Sequence, residues 1–143
     1  MEGELKTLIV LFKTHTNIVK HVKRSLENTS LTVNEFTVME ALHNKEFLSA
    51  QGLIDLVLIP NSSMTYVLDT LSKKELISRE KDPDDRRVQC IRLTEKGRQV
   101  ISDIYGIHHR HMREVFDVLS PEEERELQEL LKKLGKYAER TLK

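Results

Sequence analysis

Asn61-Ser-Ser-Met-Thr-Tyr-Val-Leu-Asp-Thr-Leu71 is the stretch on which the fold turns. Met64, Val67, Leu68 and Leu71 recur at helical spacing and fall on one side of a helix. Ser62, Ser63, Thr65, Tyr66 and Asp69 are left pointing outward or sideways, and Asn61 or Ser62 can cap the start. The period then changes. Ile77–Lys81 and Val88–Leu93 are short strand-like runs, separated by Asp82-Pro-Asp-Asp-Arg-Arg87, a polar loop with a turn-favouring Pro. Gln89, Ile91 and Leu93 share one face of the second run, and Val88, Cys90 and Arg92 share the other. The expectation is a helix with a short polar outer face, followed by a hairpin with a basic tip.

Upstream, Thr32-Val-Asn-Glu35 is a capping box for a helix carrying Phe36, Met39 and Leu42. Ser49 can cap a short helix with Leu53, Ile54 and Leu56. Residues 4–27 read as a long helix striped by Leu5, Ile9, Phe12, Thr16, Val19 and Leu26, and widened by Leu8, Leu11 and Val22. Downstream, Thr94 can cap a helix with Ile101, Ile104, His108, His111 and Val115 along one side. Ser120-Pro121-Glu122-Glu123 opens a last helix, with Ser as cap and Pro at the first helical position. Its acids crowd the start and its bases the end, which complements the helix dipole and makes those charges structural. Together these give a mainly α fold with a small β-hairpin wing: a winged helix-turn-helix with flanking helices at both ends.

At 143 residues the chain fits one domain. Its 38% hydrophobic and 32% charged residues, with five Gly and three Pro, exclude collagen, disorder and most turn-rich all-β designs. One Cys cannot form an internal disulfide. No apolar run reaches roughly 18 residues, and Lys13 interrupts the first apolar stretch, so a cytoplasmic protein without a membrane partner is expected. Basic and acidic residues cancel at 23 each, yet residues 60–98 hold nine basic against seven acidic. That excess is a weak footprint that alone does not suggest DNA, and solvated helix faces explain it better. The motif, not the net charge, points to function.

A helix fits the major groove of B-DNA, and short polar side chains on its leading face can reach base edges. The hairpin loop can set Arg86 or Arg87 into the neighbouring minor groove, whose negative potential favours Arg. Each residue also has a plain structural use: capping for Ser62, Ser63 and Thr65, scaffold packing for Tyr66, a solvated turn for the arginines.

Residues 31–97 resemble the MarR family of bacterial transcription regulators, on the stretch 61–71, the wing Arg79-Glu-Lys-Asp-Pro-Asp-Asp-Arg-Arg-Val88 and the closing Leu93-Thr-Glu-Lys-Gly97. Asp-Arg-Arg followed, after five intervening residues, by Leu-Thr-x-x-Gly is the specific part of that likeness. The flanking helices match the family's dimerisation elements. The resemblance implies a single domain, 1–143, in which 1–30 and 98–143 dimerise and 31–97 is the DNA-binding lobe. It also implies a homodimer on a pseudo-palindromic operator, usually repressing, often released by a small ligand or by oxidation. Asn61, Ser62, Ser63, Thr65, Tyr66, Asp69, Arg86 and Arg87 are the expected DNA contacts. Small aromatic effectors of the family lie between the dimer helices and the lobe, where Phe12, His15, Thr16, Phe36, Met39, Tyr105 and His108 fall by position; core packing is the plain alternative for each. Three positions depart from the pattern: Tyr66 replaces a common Arg, Glu75 a helix-ending Gly, and Leu58 a turn Gly.

Other readings start from Cys90 and the histidines. Arg92 on the same strand face can lower a thiol pKa, but a strand Cys is ordinarily a small hydrophobe, and the family's redox sensors carry their Cys in the first helix. His108 and His111 lie on one helix face, and His15, His21 or His43 can join them to bind zinc, as a zinc-responsive regulator or a metal-dependent enzyme. No HExxH, nucleophile elbow or Gly-rich phosphate loop supports an enzyme. No metal, no cofactor and no catalytic residue are expected. A winged helix that binds only protein is the remaining class.

Overall fold

In the computed structural model the backbone is described for residues 2–57 and 61–142, and the side chains for all of these except residues 2–4, 61 and 62. Leu58 therefore lies outside the described residues, as do the side chains of Asn61 and Ser62. Contacts divide the chain into two compact units, residues 1–108 and 109–143.

The first unit opens with α1 (Glu2–Ser25), followed by α2 (Val33–Asn44), β1 (Leu48–Ser49) and α3 (Ala50–Leu56). Next come α4 (Asn61–Lys73), β2 (Ile77–Lys81), β3 (Gln89–Leu93) and the first part of α5 (Glu95–Phe116). The caps form as the sequence predicts. Thr32 Oγ1 accepts from the Glu35 amide at 3.2 Å while Glu35 Oε1 accepts from the Thr32 amide at 3.1 Å. Ser49 Oγ accepts from the Gly52 amide and Thr94 Oγ1 from the Gly97 amide, each at 2.9 Å.

The wing is larger than a hairpin. β1 joins it on the far side, giving a three-stranded antiparallel sheet in the order β1-β3-β2. Leu48 pairs with Ile91, and β2 pairs with β3 from Ile77–Leu93 out to Lys81–Gln89. Two residues are too few to show an alternating pattern, so β1 left no trace in the sequence. Its pairing also buries Cys90, opposite Ser49, although Cys90 lies on the face away from Ile91.

The core gathers Phe36, Val38, Met39 and Leu42 of α2, Leu53 of α3, and Met64, Val67, Leu68 and Leu71 of α4. Leu76, Ile77, Ile91, Leu93 and Ile101 join it, with Leu26, Leu31, Ala41 and Val57. α4 ends in a Schellman turn: the Leu76 amide donates to Leu71 O and the Glu75 amide to Ser72 O, both at 3.0 Å. Glu75 occupies the left-handed position of that turn with φ 60°. Gly97 is required nearby, because a Cβ there would sit 2.0 Å from the Leu76 carbonyl oxygen.

The second unit holds the end of α5 and α6 (Pro121–Arg140). Ser120 and Glu123 form the capping box, with Pro121 in the first turn. The Arg113 guanidinium donates to Asp117 Oδ1 at 2.7 Å and to Glu124 Oε2 at 2.8 Å, tying the bend between the helices. Those bonds raise the Arg113 pKa, and Arg113 lowers that of Glu124. No residue of α6 is buried; Leu130, Leu131, Leu134 and Tyr137 stand exposed.

Candidate nucleic-acid interface

α4 is sided as its sequence predicts. Met64, Val67, Leu68 and Leu71 are buried, Thr65 is exposed, Tyr66 is 74% exposed and Ser63 is half-buried. An open groove of about 390 Å³ runs between the start of α2 and this face, lined by Thr32, Asn34, Glu35, Ser63, Tyr66, Val67 and Thr70. Asp69 differs from the other candidates: its Oδ1 accepts from Arg79 Nη1 of β2 at 2.9 Å. The expected base contact is an ion pair to the wing.

The far end of α4 is fastened in several directions. Lys74 Nζ donates to Glu35 Oε2 at 2.8 Å and to Ser30 O at 2.9 Å. Glu35 is buried, so the Lys74 ammonium offsets a charge that would otherwise be costly in the core. Lys96 Nζ donates to Lys74 O at 3.0 Å, and Thr94 Oγ1 donates to Glu75 O at 2.7 Å. The carbonyls left open at the helix terminus are thereby satisfied from α5.

At the wing tip, Asp82 Oδ1 accepts from the Asp84 amide at 2.8 Å, and the Asp82 amide donates to Val88 O at 2.8 Å. Asp85 grips Arg87 with both oxygens: Nε donates to Oδ1 at 3.1 Å and Nη2 to Oδ2 at 3.2 Å. Arg87 hydrogen bonds hold the Asp85 carboxyl below its ordinary pKa. The Arg87 side chain is still 91% exposed, so the fork restrains the guanidinium without covering it. Arg86 is also exposed.

Cys90 does not fit a reactive thiol. Its Sγ donates to Asp82 Oδ2 at 3.5 Å. Burial first, and then Asp82, push the thiol pKa up; the opposing pull of Arg92 is outweighed. Arg92 does pull the thiol down as the strand pattern permits, against the larger push of burial and Asp82. Arg92 lies over the Phe47 ring, 5.4 Å from its centroid.

The seven effector candidates separate. His108 tilts against Phe36 with ring centroids 4.5 Å apart, and its Nδ1 is 2.9 Å from Ser25 Oγ. Tyr105 lies 5.6 Å from the His43 ring. Met39 is fully buried in the core and has no surface to offer a ligand, whereas Phe12, His15 and Thr16 are exposed on α1. Glu40 was missed: its Oε2 is 4.0 Å from His108 Nε2, and burial raises its pKa while His43 lowers it. Its place four residues after Phe36, on the same side of α2, was the available signal. Glu40 also borders an open concavity of about 630 Å³ lined by residues such as Val19, Val33, Thr37 and Leu56. Among the described residues no three His, Cys, Asp or Glu side chains are grouped to hold a metal ion. Among them too, no helix is long and apolar enough to cross a membrane.

A polar-faced helix seated on a core and followed by an arginine-tipped hairpin defines a winged-helix DNA-binding protein. The sequence model of the MarR family matches residues 31–88. The HTH-type transcriptional regulator MhqR of Bacillus subtilis (strain 168) is 37% identical over 134 residues, covering 94% of this chain and 92% of that protein. This chain belongs to the MarR family of transcriptional regulators. The fold agrees with solved structures. Sco3205, a MarR family regulator from Streptomyces coelicolor in complex with DNA, aligns with a TM-score of 0.88 at 22% identity, over 96% of this chain and 92% of that one. BpsR of Bordetella bronchiseptica, from a study of regulation of its DNA binding by 6-hydroxynicotinic acid, aligns with a TM-score of 0.79 at 23% identity, over 88% and 90%. The matched proteins are regulators, which overturns the metal-dependent enzyme built on His108 and His111.

Proposed function

We propose that the chain is a homodimeric, sequence-specific repressor released from its operator by a small aromatic or phenolic effector. The observation that carries the DNA part is the exposed Arg87 guanidinium, clamped by Asp85 at the tip of a hairpin that follows the polar face of α4. Ser63, Thr65 and Tyr66, with Asn61 and Ser62 at the helix start, read the major groove, while Arg87 and Arg86 enter the minor groove. Residues 31–97 form the reading lobe. Residues 1–30 and 98–143 supply the dimer, a role supported by the exposed apolar side chains of α1 and α6. Sco3205, whose structure includes DNA, supports the same use of this fold.

The effector reading rests on Phe36, Tyr105 and His108, joined by Glu40 and Ser25. A half-buried carboxyl beside an imidazole offers a hydrogen-bonding pair to a phenol hydroxyl, and the rings offer stacking. An effector releases DNA only by binding one arrangement of the dimer better than another. BpsR, regulated by 6-hydroxynicotinic acid, is a relative of that behaviour.

Selection of bound duplexes from a random pool by the purified protein, at near-physiological salt, tests the DNA reading. An inverted repeat with half-sites roughly 34 Å apart is the expected product. On that operator Arg87→Ala weakens binding and flattens the salt slope by about one. No enrichment, or unchanged affinity in the variant, overturns the operator or the wing respectively.

A further inference from the structure

We propose that the Asp69–Arg79 ion pair sets the position of the wing relative to the recognition helix, and so selects which minor-groove step Arg87 reaches. Neither residue touches a base in this arrangement; both are positioning residues. The inference rests on the reading of α4 and the wing given above.

Asp69 sits on the outer side of α4, and Arg79 in the middle of β2. Ile77 is buried beneath α4, and Arg79, two residues along, leaves the strand on the same side. Its guanidinium thus spans from the wing to the helix, with 2.9 Å between Nη1 and Asp69 Oδ1. Beyond Arg79, apart from the pairing of Cys90 with Ser49 of β1 on the far edge of the sheet, the hydrogen bonds among the described residues stay within the hairpin: Asp82 with Asp84 and Val88, Asp85 with Arg87, and Cys90 with Asp82. β1 holds the β3 edge of the wing, and the Asp69–Arg79 pair is the side-chain tie from its β2 edge to α4. From Arg79 to the tip is about five residues, or roughly 16 Å of strand. A swing of about 12° at the tie moves the tip roughly 3.4 Å, the spacing of one base step.

Charge supports the same role. Asp69 is the one charged residue of α4 before Lys73. Facing a polyanion it would repel, and Arg79 neutralises it in place.

The full-length protein on its selected operator tests the proposal by two footprints, dimethyl sulfate for guanines in the major groove and hydroxyl radical for the backbone along the minor groove. Asp69→Asn is expected to keep the major-groove protections, to lose or shift the hydroxyl-radical protection at the outer flanks, and to weaken binding about tenfold. In an Arg87→Ala background the same change is expected to cost less than twofold. Arg79→Gln, the second variant, is expected to behave like Asp69→Asn, with Arg79→Lys restoring the flank. Flank protection retained in both Asp69→Asn and Arg79→Gln overturns the proposal, as does loss of a major-groove protection in Asp69→Asn, which would make Asp69 a base contact. Flank protection retained in Arg87→Ala alone defeats the wing reading instead, so the two failures are distinguishable.

Discussion

The recognition helix α4 and the carboxy-terminal helix α6 carry equally regular apolar stripes, yet they end in opposite conditions. Met64, Val67, Leu68 and Leu71 of α4 are all buried by α2, α3 and the sheet. Leu127, Leu130, Leu131, Leu134 and Tyr137 of α6 are all exposed. An apolar stripe states that a helix requires a partner and does not say whether the partner lies in the same chain. The lobe closes its own core, and the bare stripe of α6 is the surface that the proposed dimer would cover.

The largest effect lies where α5 meets the finished end of α4, and two glycines of α5 isolate it. Gly97 lies against the Leu76 carbonyl, where backbone meets backbone and no rotamer change makes room. Gly97→Ala is expected to destabilise the lobe by about 3 kcal/mol, with the start of α5 pushed off the end of α4. Gly106 has nothing within 4 Å of an added Cβ. Gly106→Ala is expected to stabilise by up to about 1 kcal/mol through helix propensity. Thermal unfolding of both variants checks the sign. If Gly97→Ala were as stable as the parent, the close contact between α5 and the α4 turn would be absent.

Next in size is the bare stripe of α6. Leu134→Glu together with Leu130→Glu is expected to convert a dimer to monomers, each lost anchor costing about 2 kcal/mol of association. Deletion of residues 120–143 is expected to do the same. Sedimentation velocity reads the outcome, and the lobe should keep its own unfolding transition. A variant that remains dimeric would place the interface elsewhere and break the contrast with α4.

Much of the fold was legible because its signals are local. The Thr32–Glu35 and Ser120–Glu123 boxes, the Thr94 cap and the apolar spacing of α4 each depend on residues within a turn or two. What was not legible depends on distant partners. β1 exists only by pairing with β3, Asp69 is claimed by Arg79 ten residues on, and the Cys90 thiol is set by burial and by Asp82 across the wing. The ligand-facing candidates divide for a related reason. Phe36 and Met39 share the interior of α2, but only Phe36 meets a polar ring, and Glu40 became a candidate once His108 was found beside it.

The smallest effect lies at the end of α4, where the sequence and the structure agree on an imperfection. Glu75 takes φ 60°, a conformation that crowds Cβ against the backbone in any L-residue other than glycine. The turn does not depend on its side chain, which is exposed: its amide donates to Ser72 O, its carbonyl accepts from Thr94 Oγ1, and Leu76 donates to Leu71 O. Glu75→Gly keeps all three bonds and removes the strain, while giving back part of the gain as freedom of the unfolded chain. The expected net gain is about 1 kcal/mol, a rise of roughly 3 °C in Tm, with operator affinity unchanged. Glu75→Ala keeps the Cβ and should leave Tm where it is. If alanine matched glycine, the penalty would belong to the carboxylate rather than to the backbone. A gain confined to glycine would mean that the position carries real strain, held because the turn beneath the recognition helix is fixed by its neighbours and not by its own residue.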